Sequence, residues 1–261
     1  MRWILQENTF NEKAYDVLIE QLDRLGIIYS KHKVIPFVGE LSPEPVLVDN
    51  NAIVFGSYSM RHFAKKHNLS PGSFDLEEFD FTKQIEHWGY HMLNSDSFVC
   101  RFEDARFGDQ YMFVRPILDS KSFAGKIFER EEFESWQKKI CVLDEDYGDS
   151  VSKNTIIQLS PRKEIYCEFR YWIVNGKIST SSLYKRGDRV VYENTDGVYR
   201  HLDEFVRERI AEWCPLSSFV IDVCETATGI KIVEINTINS CGFYMANIQK
   251  LIIDLEEGYT K

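Results

Sequence analysis

Three oxygen-bearing side chains stand close together toward the end of the sequence, Asp222, Glu234 and Asn236, in a segment running from Phe219 to Asn236. That segment reads as two apolar strands joined by a glycine-containing turn. Glu234 and Asn236 are two residues apart, so a strand sets both on one face, and a turn centred near Thr228 brings Asp222 opposite Glu234. Two acids and an amide form an oxygen set suited to a hard cation, and magnesium binds through one or two carboxylates together with substrate phosphates. The alternative is a solvated hairpin face. Against it, Val220, Ile221, Val223, Ile232, Val233 and Ile235 make both faces apolar, and neighbouring carboxylates in such surroundings need a cation.

A second set of charged side chains lies on Glu168 to Lys185, where Asn175-Gly176 is a strong two-residue hairpin signal. The tight turn predicts a register with Arg170 opposite Ser181, Glu168 opposite Leu183 and Tyr166 opposite Lys185. Glu168, Arg170 and Lys185 then point to one side, as a site or as an ion-pair ladder on a wet surface. A third stretch, Tyr111 to Lys126, is an apolar strand that delivers Arg115 and then a loop with Lys121, Gly125 and Lys126. Cations at a strand end and in a small-residue loop suit phosphate neutralisation, although no glycine-lysine phosphate loop pattern occurs.

The elements that must position these groups follow from hydrophobic period. After a short apolar strand, Thr9 and Glu12 form a capping-box pattern, and Ala14, Val17, Leu18, Leu22 and Leu25 mark a helix ended by Gly26. Short apolar runs at 27–29, 34–38, 46–48 and 52–55 predict strands, and Gly56-Ser57 opens a helix through Lys66. Residues 1–95 read as a small α/β domain. Beyond a polar break at 94–97, strands are predicted at 98–102, 111–115, 155–159, 165–174, 177–184, 217–223 and 230–236, with helices near 130–140, 202–213 and 243–256. Long antiparallel strands with separate helices make residues 96–261 an α+β domain.

Composition bounds the function classes. With 261 residues, 44% hydrophobic and 14% aromatic, the chain can bury a sizeable core. A net charge of −10 disfavours nucleic-acid backbones and anionic membranes, so any anion site is local. Neither a leader-type apolar region nor a run near ~18 apolar residues is present, which implies a cytoplasmic protein. The six cysteines contain no CxxC pair, and Cys241 reads as a small loop residue because no activating base is visible.

The order along the chain is a phosphate-binding strand and loop, an apolar strand ending in Gln158-Leu159, Glu168-x-Arg170 before a glycine turn, then Asp222 and Glu234-x-Asn236. Together these resemble the ATP-grasp superfamily over about residues 98–256. Arg115-Pro116, Asp119-Ser-Lys121 and Tyr184-Lys185 further resemble its often phage-encoded clade named for an arginine and two lysines. The resemblance implies an ATP-grasp fold, antiparallel sheets with packed helices, preceded by a pre-ATP-grasp α/β domain. It implies ATP and Mg2+ as cofactors, with Arg115 and either Lys121 or Lys126 on the phosphates and backbone near Gln158-Leu159 on adenine. Glu168 or Glu164 would take the ribose, Arg170 and Lys185 would serve the transferring phosphate or substrate, and Asp222, Glu234 and Asn236 would hold magnesium. The expected activity is carboxylate–amine ligation on an amino acid, peptide or protein through an acyl-phosphate. A non-catalytic ATP-binding regulator and a kinase of a small acceptor stand as alternatives. The expected partners are a small-molecule or peptide substrate bearing the carboxylate and an amine acceptor.

Overall fold

The computed structural model describes residues 1–7, 13–35, 39–76, 78–117, 123, 125–142 and 151–260. Thr9, Glu12, Asp119 and Lys121 lie outside them. The described chain forms two compact units, the first comprising Met1–Leu76, Tyr166–Glu225 and Glu234–Lys261, the second Glu77–Ile165 and Thr226–Val233.

The first unit begins with a five-stranded sheet built from β1 (Arg2–Gln6), β2 (Tyr29–Ile35), β3 (Glu40–Ser42), β4 (Asn51–Phe55) and β5 (Ser70–Gly72), in the order β3-β2-β1-β4-β5. β1 pairs parallel with β2 and β4, and β4 with β5, while β3 runs antiparallel to β2. Central parallel strands are covered on both faces, which is why Trp3, Ile4 and Leu5 are all fully buried and read as an unbroken apolar run. The helix α1 (Lys13–Leu25) buries Tyr15, Leu18 and Leu22 and ends at Gly26 with φ +67°. Val17, expected on the buried stripe, is exposed, and Tyr15 takes its place. Of the runs predicted at 27–29 and 34–38, Tyr29 and residues 34–35 fall in the single strand β2, Ile27 and Ile28 precede it, and 36–38 lie outside the described residues. No strand forms at 46–48, where Val46 and Val48 are exposed between Pro45 and a bend at 48–50. The helix predicted from Gly56 starts later, as α2 (Met60–Lys66).

A second sheet has the order β12-β11-β10-β13-β14, from β10 (Ile165–Val174), β11 (Lys177–Arg186), β12 (Arg189–Asn194), β13 (Phe219–Thr226) and β14 (Gly229–Asn236). Asn175 and Gly176 both have positive φ, +48° and +68°, and close the predicted hairpin between β10 and β11. The helices α5 (Arg200–Glu212) and α6 (Ile248–Tyr259) complete this unit. α6 begins five residues later than the periodicity suggests, because Asn247 caps it by accepting from the Lys250 N–H. Trp3, Leu5, Leu22, Phe55, Trp172, Val220, Phe243, Leu251 and Leu255 share one core. That shared burial explains why residues 1–76 cluster with the C-terminal strands.

The second unit holds α3 (Phe81–Trp88) and a four-stranded sheet ordered β6-β9-β7-β8. Its strands are β6 (Phe98–Arg101), β7 (Tyr111–Pro116), β8 (Lys126–Glu129) and β9 (Ile156–Pro161), paired antiparallel. One face packs Met112, Val114, Phe128, Ile157 and Leu159 with Phe133 of α4 (Arg130–Val142).

Candidate functional site

In the first unit, the adjacent strands β10 and β13 carry Arg170 and Asp222, which are 8% and 2% exposed. Arg170 donates to both carboxylate oxygens, Nε to Oδ1 at 2.8 Å and Nη2 to Oδ2 at 2.7 Å, and Nη1 donates to the Gly242 carbonyl at 3.3 Å. Burial works against the charged guanidinium, but Asp222 outweighs it and holds Arg170 well above its usual value. Burial also pushes the Asp222 carboxyl up, opposed by Arg170 and reinforced by Glu234 and Glu168. Arg170 stays protonated, and its short bonds to both carboxylate oxygens have the fork geometry of an ion pair.

The Asn236 amide donates to Asp222 Oδ2 at 3.3 Å and to Glu234 Oε1 at 3.2 Å. The three groups expected to converge therefore meet, with an amide N–H bridging two acids. Among the described residues no three His, Cys, Asp or Glu side chains gather as a metal cage. In donor type, two carboxylates and an amide match what a cation needs when it takes its other ligands from phosphate and water. They fit magnesium once the Asn236 amide turns its oxygen inward in place of its N–H.

Glu168 is buried at 8% exposure, with Oε1 accepting from Lys185 Nζ at 2.8 Å and Oε2 from the Tyr184 hydroxyl at 2.9 Å. The predicted charged cluster is present, but its register is not the simple one. Arg170 pairs with Ser182, Phe169 with Leu183 and Glu168 with Lys185, with irregularities between Trp172 and Ile173 and between Glu168 and Phe169. Each bulge adds a residue to β11, and the second leaves Tyr184 unpaired in the ladder and near Glu168. Burial raises the Tyr184 hydroxyl far above its usual range, and the Asp222 and Glu168 charges add to the shift.

In the second unit, Arg115 and Gln158 are cross-strand partners on β7 and β9, on the face opposite Val114 and Leu159. Gln158 is fully buried, yet among the described residues neither its Nε2 nor its Oε1 has a partner. A buried amide left unsatisfied is costly. Leu159 points into the core. The backbone expectation at Gln158-Leu159 needs correction: β9 is a central strand, and both residues are paired with β6 on one side and β7 on the other. Main-chain groups open only past Pro161, beyond the last pair, in the segment that carries the exposed Glu164.

Lys126 is not brought to Arg115. It pairs with Val114, so it lies on the core-and-helix face, where Nζ bonds Glu132 Oε1 at 2.8 Å and sits 4.2 Å from the Phe128 ring. Strand alternation puts the two cations on opposite faces. Gly125 instead presses on β7, since a Cβ there would stand 2.8 Å from Phe113 Cζ and 3.1 Å from Arg115 Cβ.

Tyr244 escaped sequence reasoning. Its ring lies 4.8 Å from Arg170 Cζ, in a turn that the apolar period of the following helix masks. Tyr184 signalled itself only as part of Tyr184-Lys185.

The sheet orders and the acid–amide–arginine cluster agree with an ATP-grasp protein. The model of the ATP-grasp domain, R2K clade family 3, matches residues 51–255. The chain belongs to that family. No curated protein sequence matches it significantly. Among solved structures, it is similar to a RimK domain protein ATP-grasp from Sphaerobacter thermophilus DSM 20745, at 14% identity and TM-score 0.64, covering 99% of this chain and 100% of that one. It is also similar to the ATP complex of a D-alanine–D-alanine ligase from Bacillus anthracis, at 12% identity and TM-score 0.62, covering 99% and 97%. A third is the ATP-grasp ligase PsnB with its minimal precursor, at 10% identity and TM-score 0.58, covering 98% of each. These likenesses are of fold. Among the described residues no helix is long and apolar enough to cross a membrane.

Proposed function

We propose that the chain is an ATP-dependent carboxylate–amine ligase acting in the cytoplasm. The observation that carries this reading is the meeting of the buried Arg170 and Asp222 with the half-buried Asn236 and Glu234 in a chain of this family. A bound magnesium ion would screen the phosphate charges and orient the oxygens of ATP. Asp222, Glu234 and Asn236 would hold it.

Arg170 opposes the charge that builds on the γ-phosphoryl group while a substrate carboxylate oxygen bonds to phosphorus and the bond to the ADP oxygen breaks. An amine then attacks the acyl carbon of the acyl-phosphate, inorganic phosphate leaves, and the amine loses a proton. No protein nucleophile is needed. Lys185 serves the substrate or its phosphate, and Glu168 holds Lys185 while offering its remaining lone pairs to a ribose hydroxyl; Glu164 is the other candidate for that hydroxyl. Arg115 takes phosphate oxygens. Lys126 is turned to Glu132, so Lys121 becomes the preferred loop lysine. The Gln158 amide, with its free donor and acceptor, reads the edge of adenine.

For sequence roles, we assign residues 1–95 to a pre-ATP-grasp segment that helps select the substrate. One similar structure is a D-alanine–D-alanine ligase and another is an ATP-grasp ligase complexed with its minimal precursor, and we propose an amino-acid, peptide or protein carboxylate for this chain. ADP release measured over a panel of such acids, with and without amines, tests the reading. A ligase needs both partners, a kinase needs only the acceptor, and a nucleotide-binding regulator releases nothing. Absence of ADP with every pair would end the ligase proposal.

A further inference from the structure

The loop after Asn236 is built more elaborately than a connector to α6 requires. Tyr244 stands in it at φ +48°, a left-handed conformation that side chains other than glycine seldom adopt and that persists only where the surroundings enforce it. The enforcement is visible. The Met245 N–H donates to Ser182 Oγ at 3.2 Å, the Met245 carbonyl accepts from Asn194 Nδ2 at 3.1 Å, and the Asn247 N–H donates to Thr180 Oγ1 at 2.8 Å. Side chains of β11 and β12 thus hold the loop directly after the tyrosine.

What this holding delivers is a ring. Tyr244 stacks on Tyr184 at 5.0 Å and 21°, and on Tyr192 at 5.1 Å and 26°. The Arg170 guanidinium carbon lies 4.8 Å from the centre of Tyr244 and 5.8 Å from that of Tyr184. The same loop supplies the Gly242 carbonyl that accepts from Arg170 Nη1. Asp222 and Gly242 take one N–H each from Nε, Nη2 and Nη1. A guanidinium has five, so one N–H on each terminal nitrogen is left, a fork of the kind that matches two phosphate oxygens.

We propose that Tyr244 is a positioning residue that fixes the plane of the Arg170 guanidinium and so aims this remaining fork. Asp222 and Gly242 grip the edge of the group, and the tyrosine ring covers its face. A planar cation gripped only at an edge tilts; one covered on its face does not. The phosphoryl target of the fork rests on the ligase reading, whereas the positioning itself does not.

The test reads Arg170 directly. In 15N NMR without nucleotide, the Arg170 Nε–H signal is identified by its loss in Arg170→Lys. Tyr244→Phe keeps its hydrogen-exchange rate at the wild-type value, and Tyr244→Leu speeds exchange by about tenfold or more through local opening. A folded Tyr244→Leu protein with wild-type exchange at Arg170 overturns the proposal. Should Tyr244→Leu not fold, Tyr244→Met replaces it with the same two outcomes. In MgATP turnover, Tyr244→Leu lowers kcat about tenfold or more with KM for MgATP held within about threefold, and Tyr244→Phe restores it. An equal rise in KM with unchanged kcat counts against positioning. If wild-type protein turns over no MgATP, the ligase reading fails alone, because the exchange measurement uses no nucleotide.

Discussion

Arg170 and Asp222 form a two-bonded ion pair, at 2.8 Å and 2.7 Å, in a place where neither side chain reaches solvent freely. Such a pair is costly to break from one side, because the partner left behind is a buried charge. Arg170→Met should therefore cost about 3–5 kcal/mol of stability, while Arg170→Met with Asp222→Leu should recover most of the loss. Urea unfolding of the two variants and of wild type checks this. A double variant as unstable as the single one would mean the pair is not what is being lost.

The cation site separates the two acids. Glu234→Gln keeps the volume and leaves the Arg170 pair intact, so it should lose magnesium-dependent ATP binding with little change in melting temperature. Asp222→Asn should lose binding and also melt lower, since it uncovers Arg170. Calorimetric titration of ATP with magnesium and then with a chelator provides the measurement. If both variants bind MgATP as wild type does, the ligand set is misplaced.

Gln158 calls for a substitution whose two effects have opposite signs. The fully buried amide has no partner for either polar atom among the described residues, so Gln158→Met, similar in length and apolar, should stabilise the free protein by about 1–3 kcal/mol. The same change should weaken nucleotide binding about tenfold or more, because the base loses a donor and an acceptor. Thermal melting without ligand and ATP titration are read side by side. A variant that is no more stable, or that binds equally well, would place the amide outside the nucleotide site.

Much of this site was legible in residue spacing, and the limits have physical causes. Glu234 and Asn236 share a face because a strand has period two, and Asn175-Gly176 announces its hairpin because only that turn type tolerates positive φ twice. The exact register was hidden because bulges in β11 depend on what packs around it. Lys126 looked like a companion of Arg115 from its loop position, yet pairing with Val114 turns it to the other face. Strand β12 gave no period because its edge position leaves most of its residues exposed. Tyr244 was invisible for a deeper reason: its position depends on hydrogen bonds to Thr180, Ser182 and Asn194, more than 49 residues away along the chain for each bond.

Gly56 marks where β4 meets the end of β1. A Cβ there would stand 2.4 Å from Gln6 Cβ and 2.7 Å from Gln6 Oε1, the oxygen that accepts from the Ser57 N–H at 2.7 Å. Gly56→Ala must push Gln6 away and break that bond, at about 1–3 kcal/mol for the overpacking. Lower urea midpoints in Gly56→Ala, with partial recovery in Gly56→Ala plus Gln6→Gly, which removes the opposing Cβ, are expected. An unchanged midpoint in the single variant would contradict the close approach.

Alkaline pH should act through the buried tyrosines. Tyr171 is fully buried and donates to Asp203 at 3.1 Å; burial first, then the Asp203 charge and bond, raise its hydroxyl well above the usual 10.0. Tyr244 is pushed up to about 12, by burial above all, with Arg170 opposing. In the unfolded chain both ionise near 10. Above that pH the unfolded state binds fewer protons than the folded one, so stability present below pH 10 is lost as pH rises, through about 12 for Tyr244 and further for Tyr171. For Tyr171 the slope is about 1.4 kcal/mol per pH unit. Urea midpoints between pH 9 and 11.5, roughly the span in which free tyrosine titrates, should fall more gently in Tyr171→Phe than in wild type. Phenolate absorbance should show the delayed fraction directly, and parallel slopes in the two proteins would exclude Tyr171 as a source of the alkaline loss.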